Sequence, residues 1–288
     1  LTKNGKAGIT FKRNESNGQS LKLPCGQCIG CRIRRSKEWA IRCIHEASCH
    51  NQNCFVTLTY DDKHIPHDHG LRKSDVQKFL KRLRKRFPGK TIRYYMCGEY
   101  GEQFGRPHYH LLLFGFDFPD KKFWQERKEK RFYRSQVLES LWPFGYSSIS
   151  DVTFESAAYV ARYVMKKING KNATKHYRKT DPETGESFDV QPEYNSMSLK
   201  PGIAYHWFNR YSSDVYPEDC VTHKGKKIQT PRYYDKQLEA TNPGEYEIIK
   251  KRRIIKAQKN AENNTYDRLK TRESITKSKQ SLYQRPLK

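Results

Sequence analysis

From Phe55 to Ile168 the hydrophobic period switches repeatedly between two residues and about 3.6, and this alternation constrains the fold more than any other feature. Phe55-Val56-Thr57-Leu58-Thr59-Tyr60 is β-branched and aromatic, which predicts a strand ended by Asp61-Asp62. Ser74, as N-cap, opens a helix to Phe87 with Val76, Phe79, Leu80, Leu83 and Phe87 on one face, stopped by Pro88-Gly89. Ile92–Cys97 reads as a second strand. A glycine-rich turn from Gly98 to Gly105 leads to a third, His108–Phe116, antiparallel to it. Residues 119–134 read as a charged excursion, Ser135–Trp142 as a short helix, Tyr146–Val152 as a fourth strand and Glu155–Ile168 as a strong final helix. The order β-α-β-β-α-β plus a helix is the split βαβ, ferredoxin-like topology. The expected fold is therefore α+β, an antiparallel sheet with helices on one face.

Outside this core the pattern changes. Residues 1–50 comprise a polar stretch, a cysteine loop and a helix over 33–49 carrying Ile33, Trp39, Ala40, Ile41, Cys43, Ile44 and Ala47. The core domain is expected over 51–170. Residues 171–249 are rich in turns and aromatics, including Trp207, Phe208, Tyr233 and Tyr234, and are expected to pack back onto it. Residues 250–288 hold 13 Lys and Arg against three acids, a net +10, which predicts a basic tail, helical or disordered.

The whole chain carries 56 Lys and Arg against 31 Asp and Glu, a formal charge of +25. That excess calls for a polyanionic partner, nucleic acid before others. Fourteen Phe, nineteen Tyr and four Trp exclude a solvated polyelectrolyte. No run approaches the roughly 18 apolar residues of a membrane span, and no apolar secretory segment follows Leu1. Opposite the apolar face of the 74–87 helix, Lys78, Lys81, Arg82, Lys85 and Arg86 form a basic stripe suited to backbone phosphates. A solvated charged face is the plainer reading of the same stripe.

Seven of the eight cysteines precede residue 100, and three form Cys25-x-x-Cys28-x-x-Cys31. This distribution fits a reducing cytoplasm and a metal-binding loop better than a disulfide framework. Three thiolates at that spacing can converge on one zinc ion, with Cys43 chosen as fourth ligand from Cys43, His45, Cys49 and His50 on the following helix. An iron–sulfur cluster uses the same ligands, and small buried thiols at a turn are the metal-free alternative.

Pro107-His108-Tyr109-His110 stands on the third strand. Strand side chains alternate, so His108 and His110 share one face, about 6–7 Å apart along the chain, and can bind one divalent ion. Glu99 on the neighbouring arm, or Glu102 in the turn, offers a third ligand, leaving positions open for a phosphate oxygen. On the final helix Tyr159 and Tyr163 share one face, with Lys166 on the next turn. A tyrosine attacks phosphorus only when a base, cation or metal assists it. The alternative is a pair of helix-core aromatics with hydroxyls at the rim.

Together, Pro24–Cys31, Cys54–Tyr60, Gly105–His110 and Tyr159–Val164 resemble the HUH endonuclease superfamily of rolling-circle replication initiators, and within it the initiators of gokushovirus-type microviruses. The similarity continues through Pro201-Gly202-Ile203, Asp214–Pro217 and Pro231–Tyr234. The resemblance implies that the first strand is motif 1 and that His108, His110 and Glu99 bind Mg²⁺ or Mn²⁺. It implies that Tyr159 and Tyr163 are nucleophiles, with Lys166 in the family's lysine position. It further implies nicking of single-stranded or origin DNA through a 5′-phosphotyrosine, host helicase and polymerase as partners, and action in the cytoplasm of a bacterial host. A noncatalytic single-stranded nucleic-acid-binding module of the same fold is the competing reading. Such a module would put aromatics on the sheet face where the histidines and carboxylate are expected.

Overall fold

The computed structural model describes residues 25–26, 28–101, 105–163, 173–180 and 184–282. α1 (Ile29–Ser48) precedes β1 (Asn53–Tyr60), α2 (Lys73–Arg86), β2 (Arg93–Tyr100) and β3 (Pro107–Phe114). A hairpin of β4 (Lys122–Arg127) and β5 (Lys130–Arg134) follows, then α3 (Gln136–Leu141), β6 (Gly145–Ser150) and α4 (Phe154–Tyr163). The strands lie in the order β4-β5-β6-β1-β3-β2, every pair antiparallel. Within it β1 and β2 flank β3 and are joined through α2, the split βαβ arrangement that the periodicity predicts.

The central strand explains its own composition. Leu111 and Leu113 face one helical layer and Leu112 and Phe114 the other, all fully buried, so no polar alternation survives there. On one face α2 lays Val76, Phe79, Leu80 and Leu83 against Val56, Leu58 and Tyr109, beside Leu138 and Leu141 of α3. Each such burial contributes about 1.5–3 kcal/mol. On the other face α1 and α4 bring Ala40, Ile41, Ala157, Val160 and Ala161 onto Phe55, Tyr95 and Leu112. The expectation of helices on one face is thus corrected. Both crossover helices share a face, but β1, β2 and β3 are apolar on both sides and require a second layer. α1 and α4 run antiparallel. Ser36 Oγ donates to the Ala158 carbonyl at 3.3 Å, while Phe154, opening α4, stacks on His223 close to His45 near the end of α1.

Three local expectations also change. Arg72, not Ser74, precedes the first turn of α2, and the Ser74 hydroxyl reaches Asp75 at 3.2 Å from inside it. β2 continues through Gly98 to Tyr100 rather than turning there. A Cβ on Gly98 would come within 2.9 Å of the Tyr194 ring and 3.2 Å of Tyr109, so close packing, not a turn, requires the glycine. Residues 119–134 form the β4–β5 hairpin. Its tip, Lys128 and Glu129, has φ of 50° and 60°, a left-handed conformation that Asn or Gly usually signals.

Beyond α4, α5 (Ala173–Tyr177) and the hairpin β7 (Arg178–Thr180)–β8 (Ser187–Asp189) lead to β9 (Tyr194–Met197), a seventh strand on the edge beside β2. α6 (Tyr205–Val215), the hairpin β10 (Cys220–His223)–β11 (Lys226–Gln229) and α7 (Arg232–Thr241) set Phe208, Tyr216 and Tyr234 in the core with α1 and α4. α8 (Pro243–Lys259) is anchored by Ile249 and by Arg253, which pairs with Asp219 and Asp235; α9 (Tyr266–Ser281) buries none of its residues. Among the described residues no helix is long and apolar enough to cross a membrane.

Candidate active site

The β2–β3 register places Glu99 opposite His108 and Cys97 opposite His110, so Glu99 stands beside one histidine and diagonal to the other on one face. Glu99 Oε1 lies 2.8 Å from His108 Nε2 and 2.8 Å from His110 Nε2. From β1, Thr57 pairs with His110 and its hydroxyl sits 3.0 Å from Nδ1 of that ring. Phe55 stacks on the same imidazole. α4 closes the site from above. The Tyr159 hydroxyl donates to Glu99 Oε1 at 3.4 Å, and its ring meets His110 edge-on at 5.0 Å. Glu99 and His110 are buried while His108 is half-buried, so the cluster opens past His108.

His108 Nδ1 is 3.0 Å from the Arg106 carbonyl, which can only accept, so that nitrogen carries the proton. A neutral His108 then points its Nε2 lone pair at a carboxylate oxygen, a repulsion that a proton or a cation between them relieves. Glu99 Oε2 is buried with no hydrogen-bond partner, and the three ligand atoms lie within 4.8 Å of one another. These donors fit a divalent ion in a two-imidazole, one-carboxylate set. Burial works to raise the Glu99 carboxyl, but hydrogen bonds from His108 and His110 outweigh it and hold Glu99 below the usual carboxylate range.

The other expected residues lie elsewhere. Tyr163 ends the described part of α4, its side chain outside the described residues, and Lys166 and Glu102 also lie outside them. Lys78, Lys81, Lys85 and Arg86 are exposed on α2, which covers the sheet face opposite Glu99, so they do not line this cluster. Arg82 is half-buried and donates twice to the Leu141 carbonyl, at 2.9 and 2.8 Å, joining α2 to α3. Cys25, Cys28 and Cys31 do converge at the start of α1. Cys43 does not join them. It lies on the same continuous helix, about 18 Å beyond Cys31 at 1.5 Å per residue, and is fully buried in the core. None of the eight cysteines is in a disulfide.

Sequence reasoning misses Thr57 and Tyr146. The signal for Thr57 is the alternation in β1, which puts two threonine hydroxyls on the face that Phe55 starts. Tyr146, 61% exposed, is visible only through register: Glu99 opposes His108, His108 opposes Thr59, and Thr59 opposes Tyr146. These four residues form one row across the site face of the sheet.

Comparison with known proteins bears on the same segment. Residues 53–168 match the family model for replication-associated protein ORF2. The chain is 33% identical to replication-associated protein VP4 of Bdellovibrio phage phiMH2K, over 78% of its own length and 70% of the relative's. It is 31% identical to replication-associated protein ORF2 of Spiroplasma virus 4, covering 80% of this chain and 72% of that one. With replication-associated protein ORF4 of Chlamydia phage 1 it shares 34% identity over 56% of its length and 44% of the relative's. No solved structure matches the chain. With the first two of these relatives aligned over more than two thirds of their lengths, the chain belongs to the replication-associated proteins of Microviridae phages.

Proposed function

We propose that this protein initiates rolling-circle replication by cutting and rejoining single-stranded DNA at the origin, with tyrosine as nucleophile. One observation carries the reading: a tyrosine hydroxyl lies 3.4 Å from a carboxylate oxygen that two histidine Nε2 atoms share. Bound at Glu99, His108 and His110, Mg²⁺ or Mn²⁺ would supply Lewis-acid polarisation of the scissile phosphate. Tyr159 Oη attacks phosphorus, the Oη–P bond forms and the P–O3′ bond breaks. The phenolic proton leaves through the Glu99 carboxylate or solvent, and the departing 3′ oxygen takes up a proton. Tyr163 is the second nucleophile, for the later joining step, and Lys166 neutralises charge on the phosphate. Because the phosphotyrosine conserves the ester, rejoining requires no nucleotide cofactor.

Tyr146 supports a path for the strand. It lies two strands from His108, about 10 Å at the usual strand spacing, exposed on the site face where a neighbouring base can stack. The basic stripe of α2 and the helices of 250–282 are assigned to backbone phosphates farther from the cut. In this role the protein works in the cytoplasm of the bacterial host and hands the 3′ end to a host helicase and polymerase.

The test uses origin-containing single strands with Mn²⁺, read on a denaturing gel for protein–DNA adducts. Wild type forms adducts that EDTA abolishes, whereas a noncatalytic binding module binds the strand with or without EDTA and forms none. The Tyr159→Phe/Tyr163→Phe double replacement should form no adduct; undiminished adducts in it would overturn the reading.

A further inference from the structure

The cysteines at 25, 28 and 31 take no part in the chemistry above, yet the fold gathers them. Their Sγ atoms lie within 4.8 Å of one another at the start of α1. Gly26, with φ of 73°, reverses the chain after Cys25, and the Cys28 amide donates to Cys25 Sγ at 3.2 Å. Cys28 is the N-cap of α1, so the positive end of the helix faces the sulfurs and favours their thiolate forms. Three thiolates brought this close repel one another unless a cation joins them.

The spacing selects the kind of cation. Zinc–thiolate bonds of about 2.3 Å set tetrahedral sulfurs roughly 3.8 Å apart, a separation that small side-chain rotations reach from the observed one. A cubane iron–sulfur cluster binds its cysteines at separate corners and needs them more widely spread. Among the described residues no fourth Cys, His, Asp or Glu joins the group. Residues 1–24 contain no Cys or His and a single carboxylate, Glu15. Two of the three cysteines are exposed, so solvent has access to the remaining position.

The antiparallel packing of α1 and α4 locates what such an ion would hold. Ser36 meets Ala158, so the cysteines, which precede Ser36, lie toward the end of α4 that carries Tyr163. We propose that Cys25, Cys28 and Cys31 bind one thiophilic divalent cation of the zinc type, with its fourth position open to solvent, and that this ion staples the start of α1 beside the tyrosine helix. The proposal does not depend on the nicking reading.

The test titrates the full chain, reduced and metal-free, with Co²⁺. One equivalent should produce thiolate-to-cobalt charge-transfer absorption, and Zn²⁺ should abolish it by displacement. Cys28→Ser should weaken cobalt binding by about a hundredfold or more. Cys49→Ser, at the far end of α1, and Glu99→Gln should leave the band unchanged. Zinc should also slow amide exchange in the first two turns of α1 more than elsewhere. Absence of the band in wild type, or its survival in the Cys25→Ser/Cys28→Ser/Cys31→Ser protein, would overturn the site. Zinc-dependent protection spread evenly through the fold would overturn the staple.

Discussion

Glu46 and Glu99 are both buried on the same side of the sheet, 1% and 2% exposed, and both are held below the usual carboxylate range. Each faces β2, Glu46 through Arg93 and Glu99 as a strand residue, about 20 Å apart along it. Their partners differ. Glu46 Oε1 accepts from Arg93 and from His50 at 3.3 Å, and Oε2 accepts from the Ala204 amide. Arg93 in turn donates to the Pro201 and Gly202 carbonyls at 2.8 and 3.2 Å. That carboxylate is saturated by a permanent cation and a backbone amide, and it ties α1, β2 and the 201–204 turn together. Glu99 meets two imidazoles and a phenol, groups that exchange protons or ligate metal, and keeps one oxygen without a hydrogen bond. Burial and pKa direction therefore do not separate a staple from a reactive site. The partner set does.

The largest expected effect breaks the comparison at its reactive end. Glu99→Gln keeps an amide that can donate to the same ring nitrogens, so unfolding free energy should move by about 1 kcal/mol or less. Mn²⁺-dependent nicking should fall by about a thousandfold or more, about 4 kcal/mol of lost transition-state stabilisation. Nicking at the wild-type rate would remove Glu99 from the site. Arg93→Ala reverses the pattern. It strands a buried Glu46, and urea unfolding should report a loss of about 3–5 kcal/mol, with Mn²⁺ affinity of the folded protein unchanged. A loss under about 1 kcal/mol would mean that Glu46 is not a lock.

The split βαβ core was legible because its strands and helices keep one hydrophobic period each, as in β1 and α2. What escaped is physical in origin. The β4–β5 hairpin hides because Lys128-Glu129 replaces the usual turn pair and charged residues fill both strands. Gly98 reads as a turn because a sequence does not reveal the Tyr194 ring packed over it from β9. The histidine pair was legible from alternation alone, whereas its pairing with Glu99 depends on a register that only β2 running past Gly98 creates. Cys43 misled because residues at one-turn multiples look adjacent on paper, while a continuous helix carries them far from its first turn.

The smallest effect sharpens the comparison through pH. Burial works to raise both carboxyls, and hydrogen bonds more than offset it, from His50, the Ala204 amide and Arg93 at Glu46 and from His108 and His110 at Glu99. A carboxyl depressed in the folded state contributes stability that is fully present above its unfolded value, about 4.3 for Glu, and is lost as pH falls through the folded value. Wild-type unfolding free energy should therefore decline below about pH 4.5, with both residues adding to the slope, and Glu99 itself should add none above about pH 5.5. Glu99→Gln removes one contribution and leaves that of Glu46. Its slope in the acid limb should be shallower than wild type by less than one proton, or about 1.4 kcal/mol per pH unit at most. Urea unfolding in metal-free buffer across this range measures the difference. Superimposable acid limbs would mean that the histidines do not hold Glu99 ionised, and the contrast between the two carboxylates would then rest on Glu46 alone.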